Sequence, residues 1–270
     1  MPALAERHLA DLDNFLLELN RAVADVILPL FRGDHGLSNK LERGFDPVNE
    51  ADKGAERAIR KLISERFPDH GVIGEEYGRD RDDAEFVWVL DPVDGTRAFI
   101  AGLPLWCVLI GLRWQGKPLL GSIGQPFLDE IYLGHAGGSR LVSRGTERLL
   151  KVRACPKLAG AIIATTDPEA CFSGPELGAW TEVRSAARLA RLGCDAYAYA
   201  MVAAGTMDMV LEAGLKAWDI DAAIPVVEGA GGVVTDWRGD PVGPEGGQIA
   251  IAGDRACLEQ ALVALRRAAL

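Results

Sequence analysis

The chain predicts an α/β protein, built either as one large unit or as two packed subdomains that share a core. Three observations carry that expectation. With 270 residues, 49% of them hydrophobic, the chain can bury a sizeable interior. Helical periodicity near the N-terminus gives way to a strand-rich stretch, and beyond residue 160 the texture alternates between helix and strand. No internal repeat, charge block or linker richer in Pro, Gly or Ser than its surroundings breaks the pattern, so a boundary near residue 155 divides subdomains, 1–155 and 156–270, rather than independent domains.

Over residues 4–30, Leu9, Leu12, Leu16, Leu19, Val23, Val26, Ile27 and Leu30 recur at three- and four-residue spacing, which predicts an amphipathic helix stopped by Gly33. A polar loop runs on to Asp46. Asn49, with Asp52 three residues later, reads as the N-cap of a second helix whose apolar face is Ala55, Ile59, Leu62, Ile63 and Phe67, ended by Pro68. Short β-like runs follow at 72–73, 86–90, 107–112 and 120–133, the last with turn signals inside it. In the second half, 161–165 reads as a strand, 194–204 as a helix and 207–212 as a strand. Asp219 precedes one apolar helix over Ile220, Ala222, Ala223, Ile224, Val226 and Val227, closed by Gly229, Gly231 and Gly232; a strand at 233–235 and a last helix over 257–270 complete the chain.

Charge and composition exclude several classes. Twenty-nine Lys and Arg against 39 Asp and Glu give a net charge of -10, which opposes a phosphate backbone, so no nucleic-acid partner is expected. Glu6, Asp11 and Asp13 interrupt the N-terminal apolar residues, unlike a signal peptide, and no uncharged apolar run reaches the ~18 residues that span a bilayer. Cys107, Cys155, Cys171, Cys194 and Cys257 are odd in number and widely spaced, which predicts neither a disulfide framework nor a zinc site and fits a reducing cytoplasm.

The informative segment is FVWVL at residues 86–90 followed at once by DPVDGT at 91–96. An apolar strand that stops at two aspartates sets carboxylates at its C-terminal edge, where α/β sheets place ligands. Pro92 fixes φ and Gly95 permits a sharp turn, so Asp91, the Val93 carbonyl and Asp94 can converge on one point. Oxygen donors in that arrangement suit a hard cation such as Mg²⁺. A helix starting near Thr96 would aim the amides of Gly95, Thr96 and Arg97 at the same place, an anion site beside a metal. Turn formation is the competing reading of Asp-Pro and Asp-Gly, a solvated turn that of Glu75 and Glu76, and helix capping that of Asp219.

Taken together, DPVNEAD at 46–52, IGEE at 73–76, DPVDGT at 91–96 and Trp218-Asp219 with GAGG at 229–232 resemble, in this order and over most of the chain, the inositol monophosphatase family of Mg²⁺-dependent, lithium-sensitive phosphatases. The resemblance implies a layered αβαβα sandwich of the inositol monophosphatase and fructose-1,6-bisphosphatase superfamily, a homodimer, and two or three Mg²⁺ ions held by Glu75, Asp91, the Val93 carbonyl, Asp94 and Asp219, with Asp46 near a weaker third position. It implies hydrolysis of a phosphate monoester by in-line attack of a water that Thr96 orients, with Glu75, Thr96 and Asp91 as the catalytic set and no covalent phospho-enzyme. Asn49 stands where Thr is common in the family.

Within the family, the segments at 45–52, 67–78, 94–104 and 193–199 are most similar to bacterial histidinol-phosphate phosphatases, Arg97 and Gly193-Cys194-Asp195 being the sharpest markers. That substrate carries an ammonium and an imidazole, for which Asp195 and Glu212 are the candidate acids, beside Asp94, Gly95, Thr96, Arg97, Arg191 and Asp219 on the substrate side. The competing readings are that Glu212 ends a strand, that Asp195 caps the next helix, that Arg184, Arg188 and Arg191 lie on a solvated helix face, and that His70 and His135 are turn or surface residues. Inositol-1-phosphate, fructose-1,6-bisphosphate and 3′-phosphoadenosine 5′-phosphate are the alternative esters. A regulatory protein binding RNA polymerase or RNA is the alternative class, and the complete acidic set argues against it. A dinucleotide fingerprint at 229–234 fails, because Val234 stands where its third glycine should be.

Overall fold

The computed structural model describes residues 6–33, 38, 39, 47, 48 and 50–270. In chain order the elements are α1 (Glu6–Ile27), β1 (Ser38–Asn39), β2 (Pro47–Val48), α2 (Glu50–Arg66), β3 (Gly71–Gly74), β4 (Gly78–Asp80), β5 (Phe86–Asp94) and α3 (Thr96–Ile100). Then come β6 (Cys107–Trp114), β7 (Lys117–Gln125), β8 (Glu130–His135), β9 (Gly138–Ser143) and β10 (Thr146–Leu149). The second half holds β11 (Ile162–Thr165), α4 (Pro168–Cys171), α5 (Gly174–Ala186), β12 (Leu189–Leu192), α6 (Tyr197–Ala203), β13 (Met209–Leu215), α7 (Ala217–Ile220), α8 (Ala223–Gly229), β14 (Val233–Thr235), β15 (Gly247–Ala252) and α9 (Arg255–Leu265).

These elements stack as five layers. An eight-stranded sheet of order β10-β9-β8-β7-β6-β5-β3-β4 and a five-stranded sheet of order β12-β11-β13-β15-β14 are the two β layers. Helices α1 and α2 cover the outer face of the first, α6, α7 and α8 fill the space between the sheets, and α5 and α9 cover the outer face of the second. Each interface is an apolar cluster. Leu12, Phe15, Leu16, Leu19 and Val23 of α1 meet Trp88, Leu90 and Val108 of the first sheet. Ile123 and Tyr132 meet Ala198, Val226 and Val227 between the sheets, and Trp180, Leu258 and Leu262 pack on Met209 and Leu211.

Several boundaries differ from the expected ones, each for a local reason. The first helix ends at Ile27, with turns over residues 28–32, rather than reaching Leu30. The expected strand at 86–90 runs on to Asp94, its pairing with β6 shifting register between Asp91 and Asp94. The helix expected over 194–204 begins only at Tyr197, because Gly193 and Asp195 adopt left-handed backbones at φ 69° and 45°. The single helix after Asp219 is two pieces with Asp219 inside the first: Pro225 has no N–H to bond four residues back, so the turn from α7 into α8 breaks. The last helix is Arg255–Leu265, capped by the Asp254 side chain, which accepts from the Ala256 amide. Helices α4 and α5 and strands β1, β2, β4, β9, β10, β12 and β15 have no counterpart among the expected elements.

Candidate active site

Parallel pairing of β3 with β5, register Gly74 to Leu90, sets the next residues, Glu75 and Asp91, side by side where both strands end. Glu56, fully buried on α2, reaches over Gly74 and accepts from the amides of Glu76 (2.8 Å) and Tyr77 (3.2 Å). A side chain at residue 74 would overlap it, since a Cβ there would lie 2.1 Å from a Glu56 carboxylate oxygen. Glu56 escaped the sequence reading. Its signal was present, an acid sharing a helix face with Asp52, Ile59 and Ile63.

The shift at the end of β5 lets Asp91 and Asp94 act together. Asp91 Oδ1 accepts from the Val93 amide at 3.1 Å, and Thr96 Oγ1 donates to the Val93 carbonyl at 3.1 Å. Gly95 takes φ 77°, and a Cβ on it would stand 3.1 Å from the Asp195 side chain, so both its conformation and its neighbour favour glycine. Helix α3 starts at Thr96, as expected. Asp94 Oδ2 accepts from the Ala196 amide at 2.7 Å, tying the end of β5 to the start of α6.

Asp219 arrives from the other half on α7, its carboxylate accepting from the Lys216 amide at 2.6 Å, a capping role from inside the helix. Asp91, Asp94 and Asp219 each direct a carboxylate oxygen to one place, all within 4.8 Å of one another. Asp91 is buried, while Asp94, Asp219 and Glu75 are half-buried. Burial and then the charges of Glu75, Asp94 and Asp219 push the Asp91 carboxyl well above the usual carboxylate range. Burial and then Asp195 do the same to Asp94, against the bond from Ala196. The neighbouring charges that weigh most on Asp91 are all carboxylates, and an all-oxygen set of this kind fits a hard divalent cation. Asp46 and Asn49 lie outside the described residues.

Beside this cluster, Glu212 is buried within β13 rather than ending a strand. Its carboxylate accepts from Thr165 Oγ1 (3.2 Å) and from the amide (2.8 Å) and Oγ1 (2.9 Å) of Thr166. Burial pushes it up to about 8, against those bonds. Asp195 does not cap α6 through its side chain, and burial pushes it up to about 6, against the Arg97 guanidinium. Arg97 is exposed and lies 3.5 Å from Asp167. Arg184 lies on α5, but Arg188 is in a loop and Arg191 on the edge strand β12; all three are exposed and no single helix face carries them. His70 closes the turn after α2, its amide donating to the Phe67 carbonyl at 3.0 Å, but it is no surface residue: it is buried, stacked between Phe67 and Phe86, and its Nδ1 accepts from Trp88 Nε1 at 3.1 Å.

The chain belongs to the inositol monophosphatase family, whose family model matches residues 8–269. It is 40% identical over 269 residues to a chloroplastic bifunctional phosphatase of Arabidopsis thaliana, covering 94% of this chain and 76% of that one. It is 34% identical over 223 residues to a histidinol-phosphatase of Chlorobaculum parvum, covering 83% and 85%. The structure of an inositol monophosphatase from Zymomonas mobilis superposes with a TM-score of 0.84 at 37% identity, over 95% of this chain and 98% of that one. Further relatives at 30–34% identity are named inositol-1-monophosphatase and Nus factor. The fold is that of the family, and the family is one of Mg²⁺-dependent phosphatases.

Proposed function

We propose that the ester is histidinol phosphate. The observation that carries this reading is a pair of acids, the half-buried Asp195 and the buried Glu212, beside the Asp91, Asp94 and Asp219 cluster. A substrate with a phosphate at one end and an ammonium and imidazole at the other matches a metal-binding cluster flanked by carboxylates. The relative of that name, 34% identical, supports the same assignment.

In this reading Glu75, Asp91, the Val93 carbonyl, Asp94 and Asp219 hold two Mg²⁺ ions, with Asp46 at a weaker third position. Bound there, Mg²⁺ supplies the positive charge that acidifies the attacking water and neutralises the leaving alkoxide. Thr96 donates its proton to the Val93 carbonyl and so turns its lone pairs outward to accept from that water and aim it in line. The amides of Gly95 and Thr96 take phosphoryl oxygens, Arg97 adds a positive edge, and Asp195, Glu212 and Arg191 line the substrate end. The chain works as two subdomains, 1–155 and 156–270, on one core: the first sheet ends at Leu149, the second starts at Ile162, and the cluster between them draws on both. A homodimer in the cytoplasm completes the reading, supported by five unpaired cysteines and by the exposed Leu189 and Leu192 on edge strand β12.

The test is phosphate release with Mg²⁺ from histidinol phosphate, inositol-1-phosphate, fructose-1,6-bisphosphate and 3′-phosphoadenosine 5′-phosphate, with Asp91→Asn as the inactive control. A kcat/KM preference of about a hundredfold for histidinol phosphate, roughly 2.7 kcal/mol of discrimination, is expected. Glu212→Gln, which keeps the shape but removes a carboxyl that charges as pH rises through about 8, should cut that preference about tenfold through KM at pH 9 and by less at pH 7. Similar low rates on all four esters would overturn the assignment while leaving the phosphatase class intact. Inositol-1-phosphate is the competing ester, favoured by the relative of that name at 34% identity.

A further inference from the structure

We propose that Arg113 is a positioning residue for the metal cluster, acting through Asp221 and Pro244 to hold Asp219 in place. Arg113 lies on β6, away from the acidic motifs, and is buried. Its guanidinium grips the Asp221 carboxylate with two donors, Nε to Oδ2 and Nη2 to Oδ1, the latter at 3.0 Å. The same Nη2 donates to the Pro244 carbonyl at 2.6 Å. Both partners flank the short helix that carries Asp219. Asp221 is the C-cap of α7, two residues beyond Asp219. Pro244 belongs to the loop that closes on the other end of α7: a Cβ on Gly246 would sit 2.4 Å from the Leu215 carbonyl, just ahead of Lys216, whose amide bonds Asp219.

A four-residue helix has almost no stability of its own, so its orientation must come from what holds its ends. Arg113 bonds both flanks. The strand beneath leaves room for this. Gly111 of β6 presses on the chain at Asp221 and Ala222, where a Cβ would lie 3.1–3.2 Å from their atoms. A planar fork on a rigid central strand therefore fixes α7 in two directions, and with it the angle at which the Asp219 oxygen enters the cluster. A buried ion pair contributes little net stability compared with a well-packed apolar pair, which makes positioning the stronger reason for placing one here.

This inference rests on the proposed role of Asp219 as a metal ligand, and the experiment separates the two. Mg²⁺ binding is measured by titration calorimetry, without ester, on the parent protein, Asp219→Asn, Arg113→Lys, Arg113→Met and the double variant Arg113→Met/Asp221→Leu. The double variant replaces the charged pair by apolar side chains of similar volume, so no lone charge stays buried and the melting temperature in the absence of Mg²⁺ should stay close to the parent's. Its Mg²⁺ affinity should nonetheless fall about tenfold or more at the site that Asp219→Asn weakens, and Arg113→Lys, which keeps the charge but not the fork, should fall by an intermediate factor. A double variant that melts like the parent and binds Mg²⁺ with the parent's affinity overturns the positioning role and leaves the pair a packing element. Parent-like affinity in Asp219→Asn overturns the ligand reading and this inference with it.

Discussion

His70 shows how one side chain can be misjudged from its neighbours in sequence. Between Pro-Asp and Gly it reads as a turn residue and does close a turn on Phe67, yet its ring is buried between Phe67 and Phe86 and accepts the Trp88 indole proton. That places a neutral imidazole in an apolar stack, and burial lowers its pKa from 6.5 to about 4. In this window the unfolded chain binds the proton that the folded one refuses, so stability is lost as pH falls from 6.5 towards 4, by at most roughly 3 kcal/mol. His70→Phe should remove that component from a denaturation series run between pH 8 and pH 4, while costing about 1–3 kcal/mol at pH 8 for the unbonded Trp88 indole. An unchanged acid limb in the variant would assign the loss to other groups. Arg113 was illegible because its partner, Asp221, is 108 residues away, and Glu212 was legible as an acid while its bonds to Thr166, 46 residues away, were not. By contrast, Asp91, Asp94 and Gly95 were legible because their chemistry is written within six consecutive residues.

At the level of elements, periodicity served well where a helix lies on one sheet face and poorly where structure depends on pairing. Helices α1 and α2 bury the stripe that their three- and four-residue spacing announces. Strand β12, Leu-Ala-Arg-Leu, carries no alternation because it lies at the edge of its sheet with most side chains exposed. The division of α7 from α8 is likewise visible only once Pro225 is seen to cost a bond. Helix α8 crosses the first sheet at unusually close range, and Gly121 of β7 makes the approach possible: a Cβ there would fall 2.0 Å from the Ala222 carbonyl oxygen. Gly121→Ala must push the helix off the sheet, so a loss of about 2–4 kcal/mol in urea unfolding is expected, with weaker Mg²⁺ binding because α7 moves with α8. A variant as stable as the parent would mean that the contact relaxes without cost.

For the molecule as a whole, the acidic cluster should make stability depend on the cation. Carboxylates gathered in a buried place repel one another until a divalent ion offsets their charge, so Mg²⁺ should bind the folded chain and not the unfolded one. At a concentration a hundred times its dissociation constant it adds about 2.7 kcal/mol per site. For a chain of this size that corresponds to roughly 5 °C per site, so chelation should lower the melting temperature by that amount, and Asp91→Asn should melt at one temperature with or without Mg²⁺. A parent protein indifferent to the chelator would refute the link between cluster and fold. The layered architecture itself was readable from the order of the motifs, whereas the path by which two sheets come to share one centre was not, since it depends on contacts such as Asp94 with Ala196 that no local pattern encodes.

That shared centre also has a history each time the protein is made. Asp91 and Asp94 leave the ribosome early, while Asp219 belongs to the last fifth of the chain. At bacterial or eukaryotic elongation rates the two parts are separated by on the order of ten seconds. A nascent chain therefore carries only part of the acidic cluster for that interval, and an ion that needs all three carboxylates would have to wait until Asp219 has joined Asp91 and Asp94.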